Sequence, residues 1–212
     1  MTEYVWYASY GSNISTDRFL CYITGGQAKG ALTSEEGCRD NSMPVDSKTI
    51  SISRKQYFAK AAKRWQNRGV AFLESTPSAE DTFGKMYLIT REQFEDVVKQ
   101  ENALTVDTVL DIKLEEAKEQ GSAVVTKGWY GRIMYLGSDD GYPIFTFTNI
   151  NRLEDETLKE PSQEYILMIA SGLIENYNMS LDDLTHYFYN KTGVSLGYSK
   201  KEVKNILNLL FI

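Results

Sequence analysis

Two periodicities alternate along the chain, and the points where one gives way to the other mark its elements. Residues 4–9 are aromatic and β-prone, Tyr-Val-Trp-Tyr-Ala-Ser, and a Tyr-Gly-Ser-Asn turn follows at 10–13. Phe19, Leu20 and Ile23 then recur at helical spacing, which predicts a helix over 15–23. Residues 25–48 show no period and contain Gly25, Gly26, Gly30, Gly37, Asn41 and Pro44, so a long surface loop is expected there. Thr49 to Ser53 alternates with period two, and Tyr57-Phe58 extends that strand signal. Strands are also predicted at 68–74 and 82–89, around a turn at Pro77-Ser78.

Thr90 and Gln93 form a T-x-x-Q capping box that opens a helix with Phe94, Val97 and Val98 on its buried face, ending near Glu101. A charged amphipathic helix is expected over 107–120, stopped by Gly121. Two strands follow at 129–136 and 142–148, joined by the turn Gly-Ser-Asp-Asp-Gly. Helices are predicted over 162–176, over 180–191 behind Ser180, and over 199–210 behind a Ser199–Glu202 box. Interleaved hairpins and helices without strict βαβ repetition point to an α+β fold. Its sheet is expected to be mixed and largely antiparallel, or a small barrel, with five to six strands and surrounding helices. No linker interrupts the pattern, so a single domain over 1–212 is expected, with 177–212 as a helical C-terminal extension.

Composition narrows the chemistry. With 212 residues, 42% hydrophobic and 25% charged, the chain can bury a core without disulfide or metal staples. The net charge of −6 argues against a surface that tracks nucleic-acid phosphates. No apolar run approaches the roughly 18 residues of a membrane span, and the opening Met1-Thr2-Glu3-Tyr4 does not read as a signal peptide. Cys21 and Cys38 lack C-x-x-C spacing. A cytoplasmic protein with neither nucleic-acid nor membrane partner is therefore expected; the oligomeric state is left open.

His186 is the only histidine, which excludes His-pair zinc sites and 2-His-1-carboxylate centres. Gly193-Val194-Ser195-Leu196-Gly197 matches the G-x-S-x-G elbow of serine hydrolases. A helix pattern precedes it and no histidine follows it, so a break between helices is the better reading. Two places remain where chemistry could reside. At Tyr10-Gly11-Ser12-Asn13 a tight turn after a strand leads into a helix, whose unpaired amides and dipole suit an anion; Ser12 and Asn13 are equally ordinary helix caps. Glu101 closes a helix, where the negative dipole end favours a raised pKa and acid/base work; an exposed glutamate in a Lys-Gln-Glu-Asn tail is the alternative.

Read in order, several segments resemble the γ-glutamylcyclotransferase-like family, in a bacterial-type version. Tyr7-Ala8-Ser9-Tyr10-Gly11-Ser12-Asn13-Ile14 with Arg18 is similar to the family's Y-x-x-Y-G-S-N-L…R opening. Trp65…Arg68-Gly69-Val70-Ala71-Phe72 and Phe83-Gly84-Lys85-Met86-Tyr87 resemble two of its strands. Phe94…Lys99-Gln100-Glu101 resembles the helix that ends in the catalytic glutamate, and Pro161-Ser162…Tyr165…Gly172…Glu175 the closing helix. The family's Glu-Gly is Glu101-Asn102 here, and its Gly-Gly is Arg68-Gly69. The 25–48 loop, 107–120 and the helices after about 180 exceed the compact pattern.

The resemblance implies cyclisation of a small-molecule γ-glutamyl amide to 5-oxoproline, with release of an amine or amino acid and with no metal or other cofactor. Glu101 would be the catalytic proton shuttle. Tyr7, Tyr10, Gly11, Ser12 and Asn13 would bind substrate, and Tyr165 would either donate its hydroxyl to the glutamyl group or serve as an interior aromatic. A role for Arg18 against the loop or a structural carboxylate stands beside substrate contact. The glycine-rich 25–48 loop is a candidate lid. Two other outcomes fit the same scaffold: a small-carboxylate-binding protein without turnover, and a γ-glutamyl hydrolase or acyltransferase.

Overall fold

A computed structural model describes residues 2–28 and 33–212. Its elements, in chain order, are β1 (Tyr4–Ser9), a 3₁₀ turn (Ser12–Ile14), α1 (Thr16–Thr24), β2 (Asp46–Ile52), β3 (Gln56–Ala62), β4 (Arg68–Leu73) and β5 (Thr82–Thr90). Then come α2 (Arg91–Glu101), α3 (Leu114–Gln120), β6 (Ser122–Val124), β7 (Arg132–Asp139), β8 (Tyr142–Thr148), α4 (Gln163–Tyr177), α5 (Leu181–Tyr189) and α6 (Lys200–Asn208). The fold is α+β. Among the described residues no helix is long and apolar enough to cross a membrane.

Two compact units account for the chain. The first takes the residues up to Ser9, Asp17–Ile50 and Lys85–Ile150; the second takes Tyr10–Thr16, Ser51–Gly84 and Asn151–Ile212.

The first unit is built on a six-stranded sheet in the order β2-β5-β1-β8-β7-β6. β1 runs antiparallel to β5, from Tyr4↔Thr90 to Ser9↔Lys85, and parallel to β8 through Trp6↔Ile144 and Tyr7↔Phe145. The sheet is mixed and open, so the barrel alternative is set aside: β2 and β6 lie at opposite edges and do not pair. Val5, Trp6, Tyr7 and Ala8 are all buried, as expected of a central strand covered on both faces. Tyr7, Phe19, Tyr87, Phe94, Phe145 and Phe147 belong to one core cluster, which clamps α1 and α2 against the strands. Burying each such ring contributes on the order of 2 kcal/mol. Thr90 caps α2 as its sequence predicts, accepting from the Gln93 amide while the Gln93 side chain accepts from the Thr90 amide.

Two expectations are corrected in this unit. The helix predicted over 107–120 is confined to Leu114–Gln120, because Lys113 adopts a left-handed conformation (φ 49°, ψ 41°) at its start. Residues 105–109 contain two Thr and two Val, poor helix formers. Val106 bonds elsewhere: its carbonyl accepts from Lys99 Nζ (2.8 Å), and its amide donates to Glu36 (3.2 Å). β6 was not anticipated; three residues are too few for a periodic signal.

The second correction concerns 25–48. Gly30 and its neighbours in 29–32 lie outside the described residues, and β2 already begins at Asp46. Residues 35–42 are fastened to α2 instead of forming a free surface loop. The Gly37 amide donates to Gln100 Oε1 (3.1 Å), Arg39 Nη2 donates to Asp96 (2.8 Å), and Gln93 Nε2 donates to the Asp40 and Ser42 carbonyls (3.0 and 2.7 Å). Gly37 (φ 92°) is required at its position, because a Cβ would stand 2.6 Å from the Gly25 nitrogen. A lid hinged through this limb would have to break these bonds. Cys38, on the same limb, is buried, and burial first, then the nearby Asp96 and Asp40 charges, pushes its thiol up to about 12. Iodoacetamide at pH 8 is therefore expected to leave Cys38 unmodified in the folded protein and to label it on unfolding, read by mass spectrometry. Fast labelling of Cys38 in the native state would contradict this packing.

In the second unit β3 and β4 form an antiparallel pair, from Gln56↔Leu73 to Ala59↔Val70. The free edge of β3 is covered: the Phe58 amide donates to the Thr192 carbonyl (2.9 Å), and its carbonyl accepts from Lys159 (3.1 Å). α5 and α6 each start with a capping box, at Ser180–Asp183 and Ser199–Glu202. Gly172 on α4 lies against Ile14 and Ser15, immediately after the Tyr-Gly-Ser-Asn turn.

Candidate functional site

The residues singled out by sequence fall into two groups, one in each unit. In the second unit the chain curls at Tyr10-Gly11-Ser12-Asn13 into a single 3₁₀ turn before α1. The Gly11 carbonyl accepts from the Ile14 amide (3.1 Å), and the Ser12 carbonyl accepts from the Ser15 amide (3.2 Å). Gln56, fully buried, fixes the start of the turn by donating from Nε2 to the Tyr10 carbonyl (2.8 Å); its Oε1 accepts from the Tyr187 hydroxyl (3.4 Å). Tyr10 and Asn13 are buried, whereas Gly11 and Ser12 are half-exposed.

Tyr165 joins this group. A Cβ on Gly11 would lie 3.1 Å from the Tyr165 hydroxyl, so the phenol reaches directly to the glycine. The hydroxyl accepts from the Ala71 amide (3.3 Å), and the ring packs 4.6 Å from Trp65. Its placement follows from local sequence: Ser162 caps α4 by accepting from the Tyr165 amide (3.1 Å), which fixes the first turn of that helix.

Glu101 and Tyr7 belong to the first unit. Tyr7 sits in the core, 3% exposed, with its ring stacked 5.1 Å from Phe147 and tilted against Phe19 at 5.4 Å. Glu101 is the last helical residue of α2 and is half-buried. The turn before it is not a solvated tail. Lys99 and Gln100 are buried, and Gln100 Nε2 donates to the Tyr22 carbonyl on α1 (3.0 Å). Asn102, where the family pattern has glycine, donates to the Val98 and Tyr130 carbonyls (2.9 and 3.2 Å) and accepts from the Tyr130 amide (3.0 Å). The residues on both sides of Glu101 are thus pinned, which holds its backbone still.

Arg18 is 2% exposed. Its Nη2 donates to Glu35 Oε1 (2.6 Å) and to the Tyr22 hydroxyl (3.2 Å). Burial opposes the guanidinium's charge, but Tyr22, Glu35 and Glu101 together outweigh it and raise the pKa above the ordinary arginine value. The acid at the other end of this ion pair, Glu35, gave no sign of a site role in the sequence, and neither did Gln56; Asn102 stood out only as a departure from the family's Glu-Gly. Each acts through a partner distant in the chain. Among the described residues no three His, Cys, Asp or Glu side chains gather as metal ligands.

No protein-family model matches the chain. Over 197 residues, 86% of its length, it is 34% identical to histone deacetylase 5 of Arabidopsis thaliana, and it spans 30% of that longer protein. A solved γ-glutamyl cyclotransferase superposes with a TM-score of 0.52 over 98% of this chain and 99% of its own, at 14% identity. An uncharacterised protein from Homo sapiens superposes at 0.51 over 97% and 99%, also at 14% identity. The chain has the γ-glutamyl cyclotransferase fold.

Proposed function

We propose that this chain is a cytoplasmic cyclotransferase acting on a small γ-glutamyl amide, without metal, other cofactor, nucleic acid or membrane. The observation that carries the reading is the pinned end of α2. Lys99 and Gln100 are buried and bonded, and Glu101 is left half-exposed as the final helical residue. A proton shuttle needs such a fixed but accessible carboxylate.

In this reading the substrate's neutral α-amine attacks its own γ-carbonyl carbon, and the new C–N bond closes a five-membered ring. Glu101 accepts the proton released by the attacking nitrogen. The tetrahedral centre then collapses, its bond to the departing amine breaks, and Glu101 returns the proton to that nitrogen. Water and electrons do not enter the balance. Holding the chain folded for ring closure uses proximity, with effective molarities on the order of 10⁵ M or more. Backbone amides of the Tyr10–Asn13 turn are assigned to the developing oxyanion, and Tyr7 and Tyr165 to binding of the glutamyl group.

The test of this reading is mass-detected 5-oxoproline release from a panel of γ-glutamyl amino acids and amines. Glutamate as the product would indicate a hydrolase, and a transferred glutamyl group an acyltransferase. A second reading on the same scaffold is a small-carboxylate-binding domain without turnover. Ligand binding by calorimetry without any product would select it.

Tyr165→Phe is expected to raise KM for the γ-glutamyl substrate by about 3- to 10-fold, the value of one ordinary hydrogen bond. It also takes the acceptor from the Ala71 amide. An unchanged KM would return Tyr165 to a purely interior role.

A further inference from the structure

We infer that Gln56 is a positioning residue: by holding the Tyr10 carbonyl it aims the Gly11 amide at the developing oxyanion, and Tyr187 on α5 locks Gln56 in that orientation. This rests on the cyclisation proposed above, names its oxyanion donor, and gives the C-terminal helices a part in it.

The chain of bonds lies wholly in the second unit. Gln56 opens β3, where it pairs with Leu73, and it is fully buried. A buried carboxamide must place both its donor and its acceptor. Nε2 donates to the Tyr10 carbonyl (2.8 Å), and Oε1 accepts from the Tyr187 hydroxyl (3.4 Å). That hydroxyl accepts from the Phe83 amide (3.2 Å), so its one proton is left for Gln56. The order of partners fixes which end of the carboxamide faces Tyr10. The Tyr187 ring is itself held, stacked 5.4 Å from Phe83 and with Lys191 Nζ 4.3 Å from its centroid.

The Tyr10–Gly11 peptide is trans, so its carbonyl and its N–H point to opposite sides of one plane. Holding the carbonyl on Gln56 therefore turns the Gly11 N–H away from Gln56. Gly11 is half-exposed, and its amide has no acceptor among the described residues. The Ile14 and Ser15 amides, by contrast, are spent inside the turn on the Gly11 and Ser12 carbonyls. An amide on a free peptide plane would have to be oriented during the reaction, whereas one already aimed stabilises the oxyanion without that reorganisation.

The experiment compares Gln56→Met and Tyr187→Phe with Tyr177→Phe as a control. Tyr177 also packs on Phe83, at 5.1 Å, but donates to the Gly84 carbonyl (2.6 Å) instead of Gln56. In the ligand-free protein the ¹³C signal of the Tyr10 carbonyl is expected to move upfield in Gln56→Met, as a carbonyl does on losing its donor. It should move less in Tyr187→Phe and stay in place in Tyr177→Phe. With the γ-glutamyl compound that the panel shows to be turned over, kcat for 5-oxoproline release is expected to fall about 10- to 100-fold in Gln56→Met. That is less than the roughly 10²- to 10³-fold effect of deleting an oxyanion donor. Tyr187→Phe should lose about 3- to 10-fold, the value of one hydrogen bond. KM should change little, because the oxyanion forms only on the way to the transition state. A structural role alone would lower melting temperatures, the control's included, and spare kcat in the folded protein. Tyr187→Phe leaves Gln56 in place and carries the test should Gln56→Met fail to fold. An unmoved Tyr10 carbonyl, an unchanged kcat in folded variants, or a loss that falls on KM overturns the inference. No 5-oxoproline from the wild type would instead overturn the reaction, and the carbonyl signal would still decide whether Gln56 sets the peptide.

Discussion

Glu101→Gln is expected to lower kcat for 5-oxoproline release by about 10³-fold, within the 10²- to 10⁴-fold range of general acid–base catalysis. That corresponds to about 4 kcal/mol of transition-state stabilisation. The amide has the shape of the carboxylate but cannot take a proton from the attacking amine and return it to the leaving nitrogen. Glu101 is half-buried at the end of α2, and Lys99, Gln100 and Asn102 fasten the backbone of this turn. The substitution also removes a charge that stabilises the Arg18 cation, so the melting temperature of the variant is read beside its rate. Substrate binding should change little, so the loss falls on kcat. Glu101→Asp retains the titrating group on a stem one methylene shorter and is expected to give an intermediate rate. Full activity in folded Glu101→Gln would remove Glu101 from the chemistry.

Gly172→Ala is expected to be the most damaging single-methyl change near the glycine turn. Alanine is favoured over glycine inside a helix by about 1 kcal/mol, so propensity alone predicts stabilisation. The packing opposes it. The added Cβ would stand 2.7 Å from Ile14 Cγ2, 2.7 Å from the Ser15 nitrogen and 2.8 Å from the Ile14 carbonyl carbon. Two of those atoms are backbone, so no rotamer change relieves the clash. Either α4 or the segment that closes the Tyr10–Asn13 turn must move. A net loss of about 2 kcal/mol is expected, at the level of overpacked cores, or roughly 4–8 °C in melting temperature. KM should rise as well, because the displaced segment carries the amides assigned to substrate. A variant at least as stable as wild type would show that the contact is looser than these distances.

The same physics explains which elements are legible in the sequence. β1, β5 and β8 were legible because each has a dense aromatic or alternating run bounded by turn residues. α2 and α6 were legible because their capping boxes, Thr90–Gln93 and Ser199–Glu202, are local chemistry that tertiary contacts do not override. The charged pattern over 107–120 misled because it runs through Thr108 and Val109, poor helix formers, to Lys113, whose left-handed backbone delays the start of the helix. For the candidate site, the position of Glu101 at a helix end followed from periodicity. Its fixation did not, since Asn102 depends on Tyr130 and Gln100 depends on Tyr22. Arg18 was visible as a residue, but the limb that brings Glu35 to it was expected to be surface loop. Long-range polar partners leave no period in the sequence, and these residues have little else.

The parallel pairing of β1 with β8 has a consequence for how the protein is made. Trp6 waits for Ile144, so the strand that is synthesised first completes its hydrogen bonding near the last of its sheet. At about 5–20 residues per second, the delay on a ribosome is roughly 10 s. During that interval an aromatic strand that ends buried on both faces has no β8 to pair with, although β5 can reach it earlier. Slow translation upstream of β8 would lengthen that exposure.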